Sequence, residues 1–245
     1  MPPEERAIRT PGSNPLIVAL DVPDLDQAIG LARRLEGEVG YYKVGLELFG
    51  ASGPQGVREI SRFGPVFLDL KLHDIPTTVE RAARVLGELG VGMLTVHASG
   101  AAAMVAAAVE GLADGAQGSG HPTPLLLAVT VLTSLSDEEL ASTNSPPASE
   151  QVTALAQLAI GAGAQGLVCA PRDLDLLRGS LGEQPVLVVP GIRPVGAGTD
   201  DHARAAAPKT AIQAGADYLV VGRPIVRAAD PVTAARSILS ELDGR

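Results

Sequence analysis

The sequence contains very little cysteine and very few aromatic residues. Its 245 residues include one cysteine, no tryptophan and only 2% aromatic residues. The single cysteine, Cys169, excludes an intramolecular disulfide and fits a reducing cytoplasm. It lies inside the apolar run 166–170, so we expect a buried core thiol rather than a reactive one.

Long hydrophobic runs and an excess of basic residues are also absent. The longest apolar stretches, such as 125–132, fall well short of the ~20 residues that a membrane-spanning helix needs. The net charge of −9 opposes binding to nucleic acid or to an anionic membrane, although a local basic cluster can still bind a small anion. With no secretory pattern in the first residues, we expect a cytoplasmic protein without nucleic-acid or membrane partners.

Hydrophobic residues make up 46% of the chain, which is enough for a large core. Residues 1–14 are polar and rich in proline and glycine, so we expect a loose tail followed by one domain over 15–245. In that domain, apolar runs alternate eight times with segments of helical spacing, which predicts a single-domain α/β protein with a (β/α)8 TIM barrel. The alternative, a doubly wound open sheet, would favour a glycine-rich loop after the first strand, where the chain has Asp21-Val-Pro-Asp24.

The stretch 67–78, with the sequence FLDLKLHDIPTT, contains the most unusual strand. As a regular strand it would present Asp69, Lys71 and His73 on one face and three leucines on the other. An isolated buried ion costs several kcal/mol, so the acid and the lysine on that face need partners. The pattern indicates an active site rather than a surface ion pair.

The same stretch predicts the start of the next helix. The strand ends before Pro76, because a residue that precedes proline is disfavoured in the helical region. Thr77 or Thr78 is then the expected N-cap of a helix from about 80 to 87.

A barrel of this kind places its active site at the C-terminal ends of its strands. The polar residues that fall at these ends are Asp21, Lys43, Asp69, Lys71, Asp74, His97, Thr133, Ser134, Arg193 and Arg223. Lysines that are flanked by carboxylates keep their protons, so Lys71 is better suited to donate a proton than to accept one.

The last two strands are followed by PGIRP at 190–194 and VGRP at 221–224. Glycine allows backbone N–H groups to approach an anion, and the guanidinium groups of Arg193 and Arg223 can bind phosphate bidentately. Barrels place phosphate in the loops after these strands, although each motif alone could be an ordinary turn. We expect the long loop 195–208 to be a lid that substrate orders.

The histidines leave two alternatives open. His97, at the end of the fourth strand, is either catalytic or a hydrogen-bonded structural residue, and we favour the structural role. A metal site built from Asp69, His73 and Asp74 is disfavoured because the adjacent lysine repels a cation. We expect no metal and no cofactor.

The motif Asp69-x-Lys71-x-x-Asp74-Ile-Pro-x-Thr78 resembles the signature of the orotidine 5'-phosphate decarboxylases. Further matching segments are Leu20-Asp21, Tyr42-Lys43-Val-Gly45, Val129-Thr-Val-Leu-Thr-Ser134, Pro190-Gly-Ile-Arg193 and Gly222-Arg223. The resemblance covers nearly the whole chain, from the first strand to the eighth.

This resemblance implies a role for each matching residue. Asp21 and Lys43 would hold the ribose hydroxyls of orotidine 5'-phosphate, Asp69 would face the substrate carboxylate, and Lys71 would protonate C6 as carbon dioxide leaves. In a homodimer, Asp74 and Thr78 would reach into the partner's site. Contacts with the substrate are implied for Thr133 or Ser134 at the pyrimidine and for Arg193, Gly222 and Arg223 at the phosphate.

One segment departs from the family pattern. Many relatives have Gly-Asp-Gln in the lid, where this chain has Asp200-Asp201-His202. We expect His202 to take the place of the glutamine, donate a hydrogen bond, and add positive charge below about pH 6.5.

Two other functions fit the same barrel. A metal-dependent sugar-phosphate lyase or isomerase would share the Asp-x-Lys-x-x-Asp motif and the phosphate site, but it gives no reason for Ile75-Pro76-x-Thr78. A barrel that binds a phosphate ligand without turnover gives no reason for a charged cluster that costs stability.

Overall fold

Eight short apolar stretches form parallel strands that close into a barrel in a computed structural model, which describes residues 14–194 and 206–243. Each strand pairs with the next, and β8 pairs with β1. The strands are β1 (Leu16–Ala19), β2 (Tyr41–Gly45), β3 (Val66–Leu72), β4 (Met93–His97), β5 (Leu125–Val129), β6 (Gly166–Val168), β7 (Val186–Val189) and β8 (Tyr218–Val221).

The helices lie outside the strands. They are α1 (Leu25–Arg34), α2 (Leu46–Ser61), α3 (Pro76–Gly87), α4 (Ala101–Gly118), α5 (Asp137–Ser142), α6 (Ala148–Gly161), α7 (Leu174–Leu181), α8 (Pro208–Gln213), α9 (Arg223–Val226) and α10 (Pro231–Asp243). The predicted (β/α)8 barrel is confirmed, and the open-sheet alternative is wrong. No helix in the described ranges combines the length and apolarity needed to cross a membrane.

Most of the predicted tail, residues 1–13, lies outside the described residues, as do 195–205 of the predicted lid. Asn14 is described, and its side chain joins the barrel. Its Nδ2 donates to the carbonyl of Glu38 at 2.9 Å, and its Oδ1 accepts from the N–H of Leu16 at 2.9 Å.

Side chains alternate between the barrel interior and the helices, as the strand period requires. The interior core contains Ile17, Ala19, Phe67, Met93, Leu127, Val129, Val168, Val186, Val188, Tyr218 and Val220. Toward the C-terminal ends of β2, β3 and β4, the next inward positions belong to Lys43, Asp69 and Thr95, which are all buried. The polar site therefore sits directly on an apolar core.

The regular alternation that we predicted for 67–73 is wrong beyond Asp69. Lys71 has φ = +52°, and the pairing of β3 with β4 changes register between Leu68 and Leu72. This irregularity is a β-bulge, in which extra residues of one strand face fewer residues of its partner. His73 lies beyond the end of β3 rather than in it.

The predicted N-cap at Thr77 or Thr78 is also wrong. The helix α3 begins at Pro76, with Ile75 as its N-cap residue and no capping side chain. Proline is favoured at the first helical position because its φ is preset and its missing N–H would have no partner there.

Helices α3 and α4 pack at very short range through glycines. A Cβ atom added at Gly111 would overlap the carbonyl oxygen of Glu80, and one added at Gly115 would overlap that of Arg84. A side chain at either position would push the helices apart. The glycines of α4 therefore determine where α3 lies.

We expect Gly115→Ala to destabilise the protein by about 1–3 kcal/mol, since the added methyl group meets backbone rather than a flexible side chain. The free energy of unfolding from chemical denaturation measures this loss. Gly118→Ala is the matched control, because no heavy atom lies within 4 Å of its added Cβ. Equal stability of the two variants would contradict the proposed close contact.

Candidate active site

Four charged side chains form a continuous chain at the C-terminal ends of β1, β2 and β3. The Nζ of Lys71 lies 2.7 and 2.8 Å from the two carboxylate oxygens of Asp69. The Nζ of Lys43 lies 3.6 Å from Asp69 Oδ2 and 2.9 Å from Asp21 Oδ1. Opposite charges thus alternate from Asp21 through Lys43 and Asp69 to Lys71, so each lysine has a carboxylate partner.

The chain of charges runs from the protein interior to solvent. Lys43 and Asp69 are 8% and 9% exposed. The side chain of Lys71 is 29% exposed and that of Asp21 is 57% exposed. The inner pair is therefore shielded from water, while the outer acid and lysine remain accessible to a ligand.

The environment of Asp69 keeps it ionised. Burial alone would raise its pKa, but the ammonium groups of Lys43 and Lys71 and the hydrogen bonds from Lys71 and Thr95 outweigh this effect and lower the pKa below its ordinary value. At neutral pH the site therefore contains a buried carboxylate between two positive charges.

Thr95 is a site residue that sequence reasoning missed. Its fully buried Oγ1 accepts a hydrogen bond from the N–H of Lys71 at 2.9 Å and donates one to Asp69 Oδ1 at 3.0 Å. Threonine is common in strands, so its presence in β4 was not conspicuous. The available signal was its position two residues before His97, on the same inward face.

Two glycines leave room for the charged groups. A Cβ atom at Gly45 would lie 2.9 Å from the Nζ of Lys43 and 3.2 Å from Asp21 Oδ1. A Cβ at Gly222 would lie 3.8 Å from Asp21 Oδ2, so the end of β8 adjoins the start of this chain of charges. Arg223 follows as the exposed first residue of α9.

Three further predicted residues follow the C-terminal ends of β5 and β7. Thr133 and Ser134 are exposed in the segment between β5 and α5. Arg193 follows β7, and its N–H donates to the carbonyl of Ala206 at 3.0 Å. His202 lies outside the described residues.

Asp74 and Thr78 do not join the site of their own chain. Both are exposed, and Asp74 Oδ1 accepts a hydrogen bond from the N–H of Ile75 at 2.7 Å. Within the described ranges, neither side chain bonds to Lys71 or Asp69.

The expected hydrogen-bonded role of His97 is wrong for the described residues. There its ring contacts that of His73, with centroids 5.5 Å apart, and makes no hydrogen bond. Burial lowers the pKa of His97, the charges of His73 and Lys71 lower it further, and Asp69 opposes them. In 14–194 and 206–243, no group of three or more His, Cys, Asp or Glu side chains is arranged to hold a metal ion.

Cys169 is buried, as predicted, and belongs to the core between the strands and the helices. Burial raises the pKa of its thiol, which opposes formation of the thiolate. The thiol is therefore part of the packing rather than of the site.

Comparison with known proteins agrees with this geometry. Residues 14–238 match the model of the Orotidine 5'-phosphate decarboxylase / HUMPS family. The chain belongs to this family. An orotidine 5'-phosphate decarboxylase of Anaeromyxobacter sp. (strain K) is 50% identical over 232 residues, which cover 94% of this chain and 99% of the relative. One of Moorella thermoacetica is 46% identical over 242 residues, covering 98% and 96%.

Solved structures of the orotidine 5'-phosphate decarboxylase family share the fold. The crystal structure of the enzyme from Lactobacillus acidophilus aligns with a TM-score of 0.84 at 39% identity, over 94% of this chain and 99% of that one. The one from Pyrococcus horikoshii OT3 aligns with a TM-score of 0.76 at 26% identity, over 94% and 100%. The family resemblance inferred from the motif is confirmed.

We expect Lys43→Met to destabilise the protein at pH 7 by about 3–5 kcal/mol, the range for removing one partner of a buried ion pair. The loss of this counter-charge raises the folded-state pKa of Asp69. The destabilisation should therefore be largest where Asp69 is ionised and should shrink as the pH falls and Asp69 binds a proton. Urea denaturation at pH 7 and at lower pH measures the difference.

The control for this substitution is Lys209→Met, at an exposed position in α8. Its effect on the free energy of unfolding should be small at every pH. If the cost of Lys43→Met does not change with pH, the ion pair with Asp69 is not its source.

Proposed function

We propose that the protein catalyses the decarboxylation of orotidine 5'-phosphate to uridine 5'-phosphate and carbon dioxide, the last step of de novo pyrimidine synthesis. Family membership supports the reaction. The observation that supports the mechanism is the close contact of Lys71 Nζ with both oxygens of the buried Asp69 carboxylate. This contact holds the Lys71 ammonium group against a carboxylate at the end of β3.

The proposed step is a proton transfer from Lys71 to C6. Breaking the bond from C6 to the carboxyl group leaves an electron pair on C6 and releases neutral carbon dioxide. An ammonium group at this point stabilises negative charge that exists only near the transition state, and then supplies the proton that completes uridine 5'-phosphate. Lys71 regains its proton from solvent, to which its side chain is partly open.

Asp69 has two effects in this mechanism. It orients the Lys71 ammonium group, and its own charge faces the carboxylate of the bound substrate. Repulsion between these two carboxylates disappears when the substrate carboxylate leaves as a neutral molecule, which would contribute to the rate.

The other strand ends provide the contacts that bind the substrate. Asp21 and Lys43, joined at 2.9 Å, would bind the ribose hydroxyls. For the pyrimidine we propose Thr133 or Ser134, and for the phosphate Arg193, Gly222 and Arg223. Binding of the phosphate, remote from C6, can supply energy for closure over the reacting group.

We further propose a homodimer in which Asp74 and Thr78 enter the partner's site. Among the described residues, Asp74 forms no hydrogen bond or ion pair with Lys71 of its own chain, and we propose that its carboxylate serves the partner's site. Ile75, between these two residues, is 66% exposed, and the proposed dimer would bury it against the second copy.

The alternatives are disfavoured by the charges at the site. A metal-dependent sugar-phosphate lyase or isomerase would need a carboxylate to bind a cation, yet Asp69 is already flanked by two ammonium groups. A barrel that only binds a phosphate ligand would have no use for a buried charged cluster.

The first test follows the ultraviolet absorbance of orotidine 5'-phosphate with purified protein and excess chelator. We expect rapid loss of substrate absorbance with the wild-type protein. Lys71→Met should lower kcat by at least about 10³-fold, since it removes both the proton donor and the stabilising charge. Lys209→Met should retain activity, and an inactive wild-type protein would contradict the proposal.

Hybrid dimers test the shared site. Lys71→Ala and Asp74→Ala should each be inactive alone, because each removes one of the two residues that different chains contribute to the same site. Mixing equal amounts under conditions that exchange subunits should regain about a quarter of the wild-type activity, since half of the dimers then contain one intact site. Activity that never exceeds the sum of the two variants would indicate that each chain completes its own site.

A further inference from the structure

We infer that Thr95 is a positioning residue, whose hydroxyl holds the backbone of Lys71 and the carboxylate of Asp69 in the arrangement that proton transfer needs. This inference rests on the proposed function, because it assigns Thr95 a role in the same reaction. One hydroxyl touches both members of the reactive pair, and it does so from the neighbouring strand.

The hydrogen bonds of Thr95 form a closed ring. Its Oγ1 accepts from the N–H of Lys71 at 2.9 Å and donates to Asp69 Oδ1 at 3.0 Å, and the same Oδ1 accepts from Lys71 Nζ at 2.7 Å. A hydroxyl has one proton to donate. Once it accepts from Lys71, that proton is directed at Asp69, so the backbone and side chain of Lys71 are both tied to the same carboxylate.

The conformation of Lys71 explains why such a support is needed. Its φ of +52° lies in the left-handed region, which costs a residue with a side chain of order 1–3 kcal/mol unless its surroundings hold it there. The register shift between Leu68 and Leu72 interrupts the regular pairing of β3 with β4 at this point. The Thr95 hydroxyl provides the acceptor for the N–H of Lys71 inside this interruption.

The burial of Thr95 distinguishes its positioning role from a direct catalytic one. Thr95 is fully buried beneath Asp69 and Lys71, so it acts through these residues and not on the substrate. Its hydrogen bond is also one of the contributions that lower the pKa of Asp69. Without the hydroxyl, Asp69 loses a donor and the N–H of Lys71 loses its acceptor.

The test compares Thr95→Val, which preserves the shape and removes the hydroxyl, with Thr95→Ser, which keeps the hydroxyl. We expect Thr95→Val to lower kcat by about 10²-fold with little change in KM, because a displaced Lys71 meets C6 poorly. Thr95→Ser should restore most of the activity. Thr153→Val, on α6, controls for the general effect of this substitution.

Non-additivity distinguishes positioning from a merely structural role. If Thr95 acts through Lys71, adding Thr95→Val to Lys71→Met should lower kcat no further. An unchanged kcat in folded Thr95→Val, or an equal loss in Thr95→Ser, would overturn the inference. So would a full additional loss in the double variant.

A stability cycle separates failure of this inference from failure of the proposed function. Thr95→Val and Asp69→Asn, alone and together, should give coupled free energies of unfolding whatever substrate the enzyme uses. If the wild-type protein does not turn over orotidine 5'-phosphate but this coupling is present, the proposed reaction fails while the link between Thr95 and Asp69 stands. Absence of coupling would overturn the inference even if the reaction is observed.

Discussion

The Asp69 carboxylate between the two lysines is the constraint on which the site depends. An ionised acid this close to an apolar core would be costly without partners. The partners come from Lys43 on the adjacent β2 and from Lys71 on β3 itself, and Asp21, which follows β1, balances Lys43. Direct pairing of β1 with β2 and of β2 with β3 brings these side chains together, so the charges compensate one another only once these strands have paired.

The bulge in β3 connects this cluster with the next helix. At the bulge Lys71 turns toward Asp69, and its N–H donates a hydrogen bond to the Thr95 hydroxyl. The chain then leaves the barrel through Asp74 and Ile75 and enters α3. Helix α3 is in turn held against α4 by glycine contacts that allow little adjustment. The segment proposed to enter a partner's site is thus anchored to the barrel by both of its ends.

The charge distribution also fits an anionic substrate despite the net charge of −9. Lysines lie at the ends of β2 and β3, and arginines follow β7 and β8. These cations come from distant parts of the sequence, but a parallel barrel places all strand ends on one side. The lysines and the arginines therefore lie at one end of the barrel, which suits a substrate with more than one negative charge.

Local patterns in the sequence were sufficient to predict the eight strands, the closed barrel, the buried cysteine and the family, because alternation, apolar runs and short motifs are properties of neighbouring residues. Tertiary structure alone decided the left-handed Lys71, the start of α3 at Pro76, the ring contact of His97 and the two hydrogen bonds of Thr95. Each of these depends on how β3 pairs with β4 or on what surrounds a side chain. A threonine in a strand is not conspicuous in the sequence. Thr95 is distinctive only because the adjacent strand β3 bulges and places the N–H of Lys71 and the carboxylate of Asp69 beside its hydroxyl.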